Sequence, residues 1–339
     1  MLLKFPVTKT VPQPRKSMIR KLTVITACVL ATLASLRAAE PLKIAYSDWP
    51  GWIAWEIAVQ KDWFKEEGVD VVFEWLEYVP SMEAFAAGKV DAVCMTNGDA
   101  LVTGATGAPS KIIVLNDYSN GNDMIIAKPG YETLKDLKGK KIGVEIGFVG
   151  HLHLLKALEA NGMTEADVEL VNIPTSETPK ALASGDVEAI VAWQPNCSQA
   201  LKSVAGSKAV FTTANVPGLI YDCLAVNPAG LSARPDDWEK VVKVWYRIVD
   251  FFSDPATRAE AIKLMAARVN LPPEEYATFV DGTKILTLAE AKKAFAKGPG
   301  LDSIYGSSEI SNQFNLDNKV YEKSQEAADY IEPSLTLGL

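Results

Sequence analysis

Apolar positions from residue 40 onward follow two rhythms that take turns. Short runs, either alternating with polar residues or unbroken, predict strands at 43–48, 69–75, 90–95, 111–117 and 124–127. Between them, stretches with apolar residues three and four apart predict helices at 52–66, opened by Pro50, and at 81–87, stopped by Gly88. A second set begins at Leu134, with strands at 141–145, 168–173 and 187–193 and helices at 151–161 and 177–184. Such alternation predicts an α/β architecture, with parallel-rich sheets that carry helices on both faces. Beyond Asn227 the pattern turns helical, at 236–253, 256–267, 273–280 and 288–296, and then polar through 310–314 and 319–331. The runs 117–124 and 219–227 read as two crossovers between the sets, which together make a hinge.

One internal echo supports a paired arrangement. Ala84-Phe85-Ala86-Ala87-Gly88-Lys89-Val90-Asp91-Ala92-Val93 matches Ala181-Leu182-Ala183-Ser184-Gly185-Asp186-Val187-Glu188-Ala189-Ile190. Each copy is a helix end, a glycine stop and the strand that follows, so two lobes of similar topology are expected.

The first 39 residues differ from the rest. They hold Lys4, Lys9, Arg15, Lys16, Arg20, Lys21 and Arg37 with no acid, then an apolar stretch at 22–36 closed by Ala38 and Ala39. This is the layout of a secretory signal, too short for a spanning helix. Met18 would itself open such a signal, and Cys28 lies too early in the apolar run to be a lipidated cysteine. Without this segment 27 basic residues face 42 acids, and the net charge moves from −8 to −15. A domain this acidic is a poor partner for nucleic acid. Cys94, Cys197 and Cys223 remain, without metal-ligand spacing, and read as small buried thiols with at most one disulfide. His151 and His153, two apart on a helix, point away from each other rather than at one metal. Neither a catalytic constellation nor a cofactor or metal site is expected, and the chain reads as a monomeric binding protein rather than an enzyme.

Several segments resemble a known family. Lys61-Asp62-Trp63-Phe64-Lys65-Glu66-Glu67-Gly68-Val69-Asp70-Val71 is similar to the first helix and second strand of solute-binding proteins that serve nitrate/sulfonate/taurine-type ABC importers. Leu134-Lys135-Asp136-Leu137-Lys138-Gly139-Lys140-Lys141-Ile142-Gly143-Val144 resembles the start of their second lobe, and the two echoed units resemble their repeated turns. The resemblance covers nearly all of 40–230 in order. It implies a two-lobed periplasmic binding protein fold of type II, with a two-strand hinge and a helical C-terminal segment. Lobe 1 would hold 40–122 and 223–339, lobe 2 would hold 123–222, and residues 1–39 would be the signal. It also implies capture of a small solute in the periplasm and delivery to a membrane permease with its ATPase.

Ligands of open α/β sheets sit beyond the carboxyl ends of the strands. That rule selects Asp48, Trp49 and Trp52 after the first strand, and Asn97 and Asp99 after the third. It also selects Asp117, Tyr118, Asn122 and Asp123 at the first crossover, Glu145 and Phe148 in the second set, Trp193, and Asp222 on the return crossover. The selected loops hold no Lys or Arg, and no Arg occurs between Arg37 and Arg234. Arg is the natural fork for planar anions. Many relatives place Ser or Thr at the N-terminus of the second-lobe helix, but here the turn is Gly147-Phe148-Val149-Gly150-His151. Carboxylates flanked by indoles suit a small nitrogen-rich cation of guanidinium type. Ser47-Asp48-Trp49-Pro50-Gly51-Trp52 also resembles a branch of the family associated with urea and guanidine uptake. An anionic or neutral solute (sulfonate, taurine, nitrate, urea) and a pyrimidine precursor of thiamine remain the alternatives.

Overall fold

The computed structural model describes residues 40–339, so the expected export signal lies outside the described residues. Strands β1 (Leu42–Tyr46), β2 (Val71–Trp75), β3 (Ala92–Thr96) and β4 (Lys111–Ser119) enter one sheet. Strands β5 (Met124–Ala127), β6 (Lys141–Val144), β7 (Glu169–Asn172), β8 (Ala189–Ala192) and β9 (Lys208–Thr212) form a second. The chain then returns to the first sheet through β10 (Tyr221–Val226) and β11 (Thr283–Ile285). The orders are β11-β4-β10-β3-β1-β2 and β7-β6-β8-β5-β9.

Each sheet is parallel in the half built from strand–helix units and antiparallel where a crossover strand enters. β1 runs parallel to β2 and β3, and β6 runs parallel to β7 and β8. β10 is antiparallel to both β3 and β4, and β5 to both β8 and β9. The run 219–227 is therefore more than a crossover. Six of its residues form a central strand, every one of them buried. A strand covered on both faces loses the alternation that marks a half-exposed one. The echoed units both occur as expected: Gly88 and Gly185 take φ of 66° and 91° just before β3 and β8. Only a residue without a Cβ adopts that backbone at no cost.

The predicted helix 52–66 is three pieces: a 3₁₀ turn Trp52–Ala54, a helix Trp55–Gln60 and a short helix Trp63–Glu66. Asp62 breaks it with a left-handed φ of 55°. The break lets Trp63 meet Phe251 edge-on at 5.4 Å and sets Phe64 against Phe73 at 5.6 Å. The polar stretch 310–314 lies inside a helix, Ile304–Asp317, that is buried although polar. Its serines replace water: the Asn97 amide donates to Ser307 Oγ and Ser308 Oγ at 3.0 and 3.1 Å, and Ser307 Oγ donates to the Leu219 carbonyl at 2.9 Å. Strand β9 and the helix Asn196–Ser203 complete the second lobe beyond the predicted elements.

The first lobe's core lies between β1–β3 and the long helix Pro235–Ser253. That helix buries Trp238, Val241, Val242, Trp245, Ile248, Val249 and Phe252, a stripe with helical spacing. Trp245 meets Trp55 at 4.6 Å, and both are fully buried. Truncating such a ring loses transfer energy and leaves a cavity, so Trp245→Ala should cost about 3–5 kcal/mol in a urea titration. A cost below about 1 kcal/mol would show that this contact does not hold the C-terminal helices in place.

Candidate functional site

The carboxyl ends of β1, β2 and β3 face those of β6 and β8 across a cleft. The crossovers at its base are tied together: the Ser119 and Thr213 hydroxyls share a hydrogen bond of 2.6 Å, and Thr213 Oγ1 accepts from the Gly121 amide at 2.9 Å. Inside the cleft is a small chamber of about 10 Å³, room for roughly one water. Its walls are Trp49, Trp52, Tyr78, Thr96, Asp123, Val149, Trp193, Ile220 and Asp222. Outside it opens a vestibule of about 420 Å³ with five carboxylates, Asp48, Glu77, Glu83, Glu145 and Glu177. Neither cavity is lined by Lys or Arg.

The loop after β1 supplies two indoles around a tight turn. Trp52 stacks on Tyr78 at 5.5 Å with the planes 24° apart, and Trp193 of the other lobe meets Tyr78 edge-on at 5.5 Å. Trp49 Nε1 donates to Asp117 Oδ1 at 2.9 Å. Gly51 makes the approach of Asp117 feasible, because a Cβ there would lie 1.8 Å from Asp117 Oδ2. Asp48 forms a latch across the cleft: Trp193 Nε1 donates to Oδ1 at 3.0 Å and Asn196 Nδ2 donates to Oδ2 at 3.1 Å. Tyr78 donates to Asp99 Oδ2 at 2.6 Å and accepts from the Thr96 amide at 3.1 Å. Asp99 also lines a small cavity with Val149, at the start of the second-lobe helix Val149–Ala160.

Three of these acids lack a full set of partners. Asp117, Asp123 and Asp222 are almost completely buried, and the Oδ2 atom of each accepts no hydrogen bond from the protein. Trp52 Nε1 is the one chamber donor without a partner among the described residues. Burial raises the carboxyl pKa of Asp48 and Asp99 to about 6, with the hydrogen bonds from Trp193 and Tyr78 pulling back. Burial likewise raises Asp123 to about 7, and burial with the nearby charge of Asp99 raises Glu145 to about 7. Asp117 and Asp222 are both raised, by burial first, and at Asp222 next by the charge of Asp117. Among the described residues no cationic side chain lowers any of them.

The residues selected from sequence separate into groups. Trp49, Trp52, Asp123, Trp193 and Asp222 meet at the chamber, with Asp117 directly behind. Asp48 and Glu145 stand in the vestibule, where Thr175 Oγ1 reaches Glu145 at 3.3 Å. Asn97, Asp99 and Phe148 line a small adjoining cavity. Asn97 is nonetheless committed to structure, since it holds the helix Ile304–Asp317 and accepts from the Tyr221 amide at 3.1 Å. Asn122 and Tyr118 line none of these cavities. The Asn122 amide turns away to Thr283 Oγ1 at 2.7 Å and to the Phe279 carbonyl, and Tyr118 packs on Tyr221 at 5.8 Å. Tyr78, Thr96 and Asn196 are not among the selected residues, and Tyr78 is the most central of them. It follows β2, so the same strand-end rule would have found it.

His151 and His153 lie on the helix Val149–Ala160 and line neither chamber nor vestibule. Cys94, Cys197 and Cys223 are free and buried. Among the described residues no His, Cys, Asp or Glu groups of three or more are placed to hold a metal ion, and no helix is long and apolar enough to cross a membrane.

Comparison with known proteins places this geometry in context. A model of the NMT1-like family matches residues 37–266. A Brucella abortus (strain 2308) protein, whose name describes a binding protein without stating a ligand, is 32% identical over 170 residues, 49% of this chain and 52% of its own. The taurine-binding periplasmic protein of Escherichia coli K12 is 27% identical over 168 residues, 49% of each chain. The chain thus spans about half the length of these curated relatives. The alkanesulfonate-binding protein of Xanthomonas axonopodis, solved with MOPS, superposes with a TM-score of 0.70 at 19% identity, over 87% of this chain and 100% of that one. That likeness supports the two-lobed periplasmic binding protein fold.

The raised acids set a pH dependence. An acid whose folded-state pKa lies above its unfolded value keeps a proton that the unfolded chain has already lost. Stability then falls as pH climbs from the ordinary carboxylate range to the raised value. His151 and His153, lowered by burial, act in the opposite sense below pH ~6.5, but they are two groups against six. The empty protein should therefore melt at a lower temperature at pH 8 than at pH 6 in scanning calorimetry. Asp123→Asn should narrow that difference. An equal melting temperature at both values would mean that the cleft acids are solvated.

Proposed function

This chain belongs to the NMT1-like family, and from that premise we propose that it is the extracytoplasmic solute-binding component of an ABC importer. It is exported, captures a small solute between its lobes and presents the closed form to a membrane permease and its ATPase. The lobes turn on the crossovers near 119–124 and 212–221, and the Asp48 latch belongs to the empty closed state, whose chamber has room for about one water and must widen to seat a larger solute. A ligand that touches both lobes favours closure by its differential affinity.

The solute is a small cation with several N–H donors, of guanidinium type. One observation carries this reading: buried carboxyl oxygens without hydrogen-bond partners converge on an aromatic chamber that has no Lys or Arg. Unpaired buried carboxyls are costly, and a cation with N–H groups satisfies both their charge and their lone pairs. The indole faces of Trp49, Trp52 and Trp193 add cation–π attraction. Among the described residues these acids are not grouped in threes as a metal ion would need, and a quaternary ammonium has no N–H to offer them. An anion would meet a single neutral donor, Trp52 Nε1, against three acids. Taurine and alkanesulfonate, named for the relatives, supply the competing reading of an anionic solute.

A thermal-shift panel separates the two. A ligand at a hundredfold excess over its Kd stabilises the folded state by about 2.7 kcal/mol. Guanidinium and methylguanidinium at millimolar concentration, below their denaturing range, should raise the melting temperature, and taurine, nitrate and alkanesulfonates should not. Stabilisation by a sulfonate, with none by any cation, would overturn the ligand reading and leave the transport reading standing.

A further inference from the structure

Strands β4 and β10 run antiparallel, with Asp117 and Asp222 directly opposite each other. The register shifts between Asp222 and Cys223, so that Asn116 is the extra residue of a bulge. Bulges re-aim side chains, and residues directly opposite on antiparallel strands project from the same face, which sets the two carboxyl groups side by side. Facing carboxyl oxygens can share a hydrogen bond only while one keeps its proton, because two like charges at contact cannot both ionise. The groups around the pair reinforce this. Asp123 and Asp99 add negative charge, while the thiols of Cys94 and Cys223 and the phenol of Tyr276 are held neutral by burial. Trp49 Nε1 donates to the outer oxygen of Asp117. Arg268, a base of the same lobe, is engaged by Glu56 at 3.1 Å and by the Tyr46 hydroxyl at 2.7 Å.

We propose that the Asp117–Asp222 pair exchanges its shared proton for the cation, so that each solute captured releases one proton. The proposal rests on the cationic reading of the chamber. In the exchange an O–H bond of the pair breaks, its proton passes to solvent, and the carboxylate accepts an N–H of the solute in its place. Linkage makes the consequence reciprocal: raising the pH tightens the solute, and acidification loosens it. The chamber charge then stays level through the cycle, and the empty cleft avoids a cluster of bare carboxylates.

The test is isothermal titration of the purified protein with guanidinium chloride at constant ionic strength. Buffers of different ionisation enthalpy report the protons released, and runs from pH 5 to 8 report Kd. About one proton should leave per guanidinium at pH 6, and Kd should fall about tenfold per unit on the acid side and level off above neutrality. In Asp222→Asn, or in Asp117→Asn if that variant does not fold, release should drop towards zero and Kd should lose its pH dependence. Guanidinium binding with a constant Kd and no proton release would overturn the exchange while leaving the cation reading intact. Unchanged release in the variants would also overturn it, because the proton would come from another group. No guanidinium binding at any pH would remove the cation reading, and the exchange with it.

Discussion

A carboxylate taken out of water must find a cation, a set of donors or a proton. Most of what distinguishes this cleft follows from that constraint. Six acids gather at the strand ends and between the lobes, and no Lys or Arg lines the chamber or the vestibule. Two find donors: Asp48 from Trp193 and Asn196, Asp99 from Tyr78. Asp117, Asp123 and Asp222 each keep one oxygen without a donor, and burial raises the pKa of all three.

The scaffold that sustains this arrangement lies well away from it. The packed indoles of Trp55 and Trp245 and the stripe on the helix Pro235–Ser253 supply apolar burial that the cleft does not. With that support, the β1 loop can press Gly51 against Asp117, and β4 can carry a bulge at Asn116. Asn116 itself is buried with its amide unpartnered. Such local concessions persist where surrounding structure over-determines them, and they cluster at functional sites.

The sequence reveals the strand–helix alternation because half-buried strands and amphipathic helices carry their periods openly. It reveals the two-lobe plan because Gly88 and Gly185 stop matching helices before matching strands. It conceals β10, whose apolar residues Cys223–Val226 follow an acid and resemble a buried linker as much as a strand, and it conceals the burial of Ser307, Ser308 and Ser311, whose polarity suggests a solvated tail. At the site, the acids and indoles are legible from strand ends alone. What sequence cannot supply is orientation: Asn122 sits among the selected residues yet turns to the Phe279 carbonyl, while Tyr78 links both indoles to Asp99.

The helix Val149–Ala160 carries the comparison with anion-binding relatives one step further. A helix N-terminus at a cleft is a ready anion site, since its free N–H groups and dipole both favour negative charge. In this chain the Asp99 carboxyl shares a small cavity with that end, beside Phe148 and Val149. The protein's own acid stands beside the donors that an external anion would seek. An incoming sulfonate would have to sit beside Asp99 and among the remaining carboxyls. A cation meets no such repulsion. On one fold the position of the solute and its charge are thus set separately, the first by the fold and the second by the strand-end side chains.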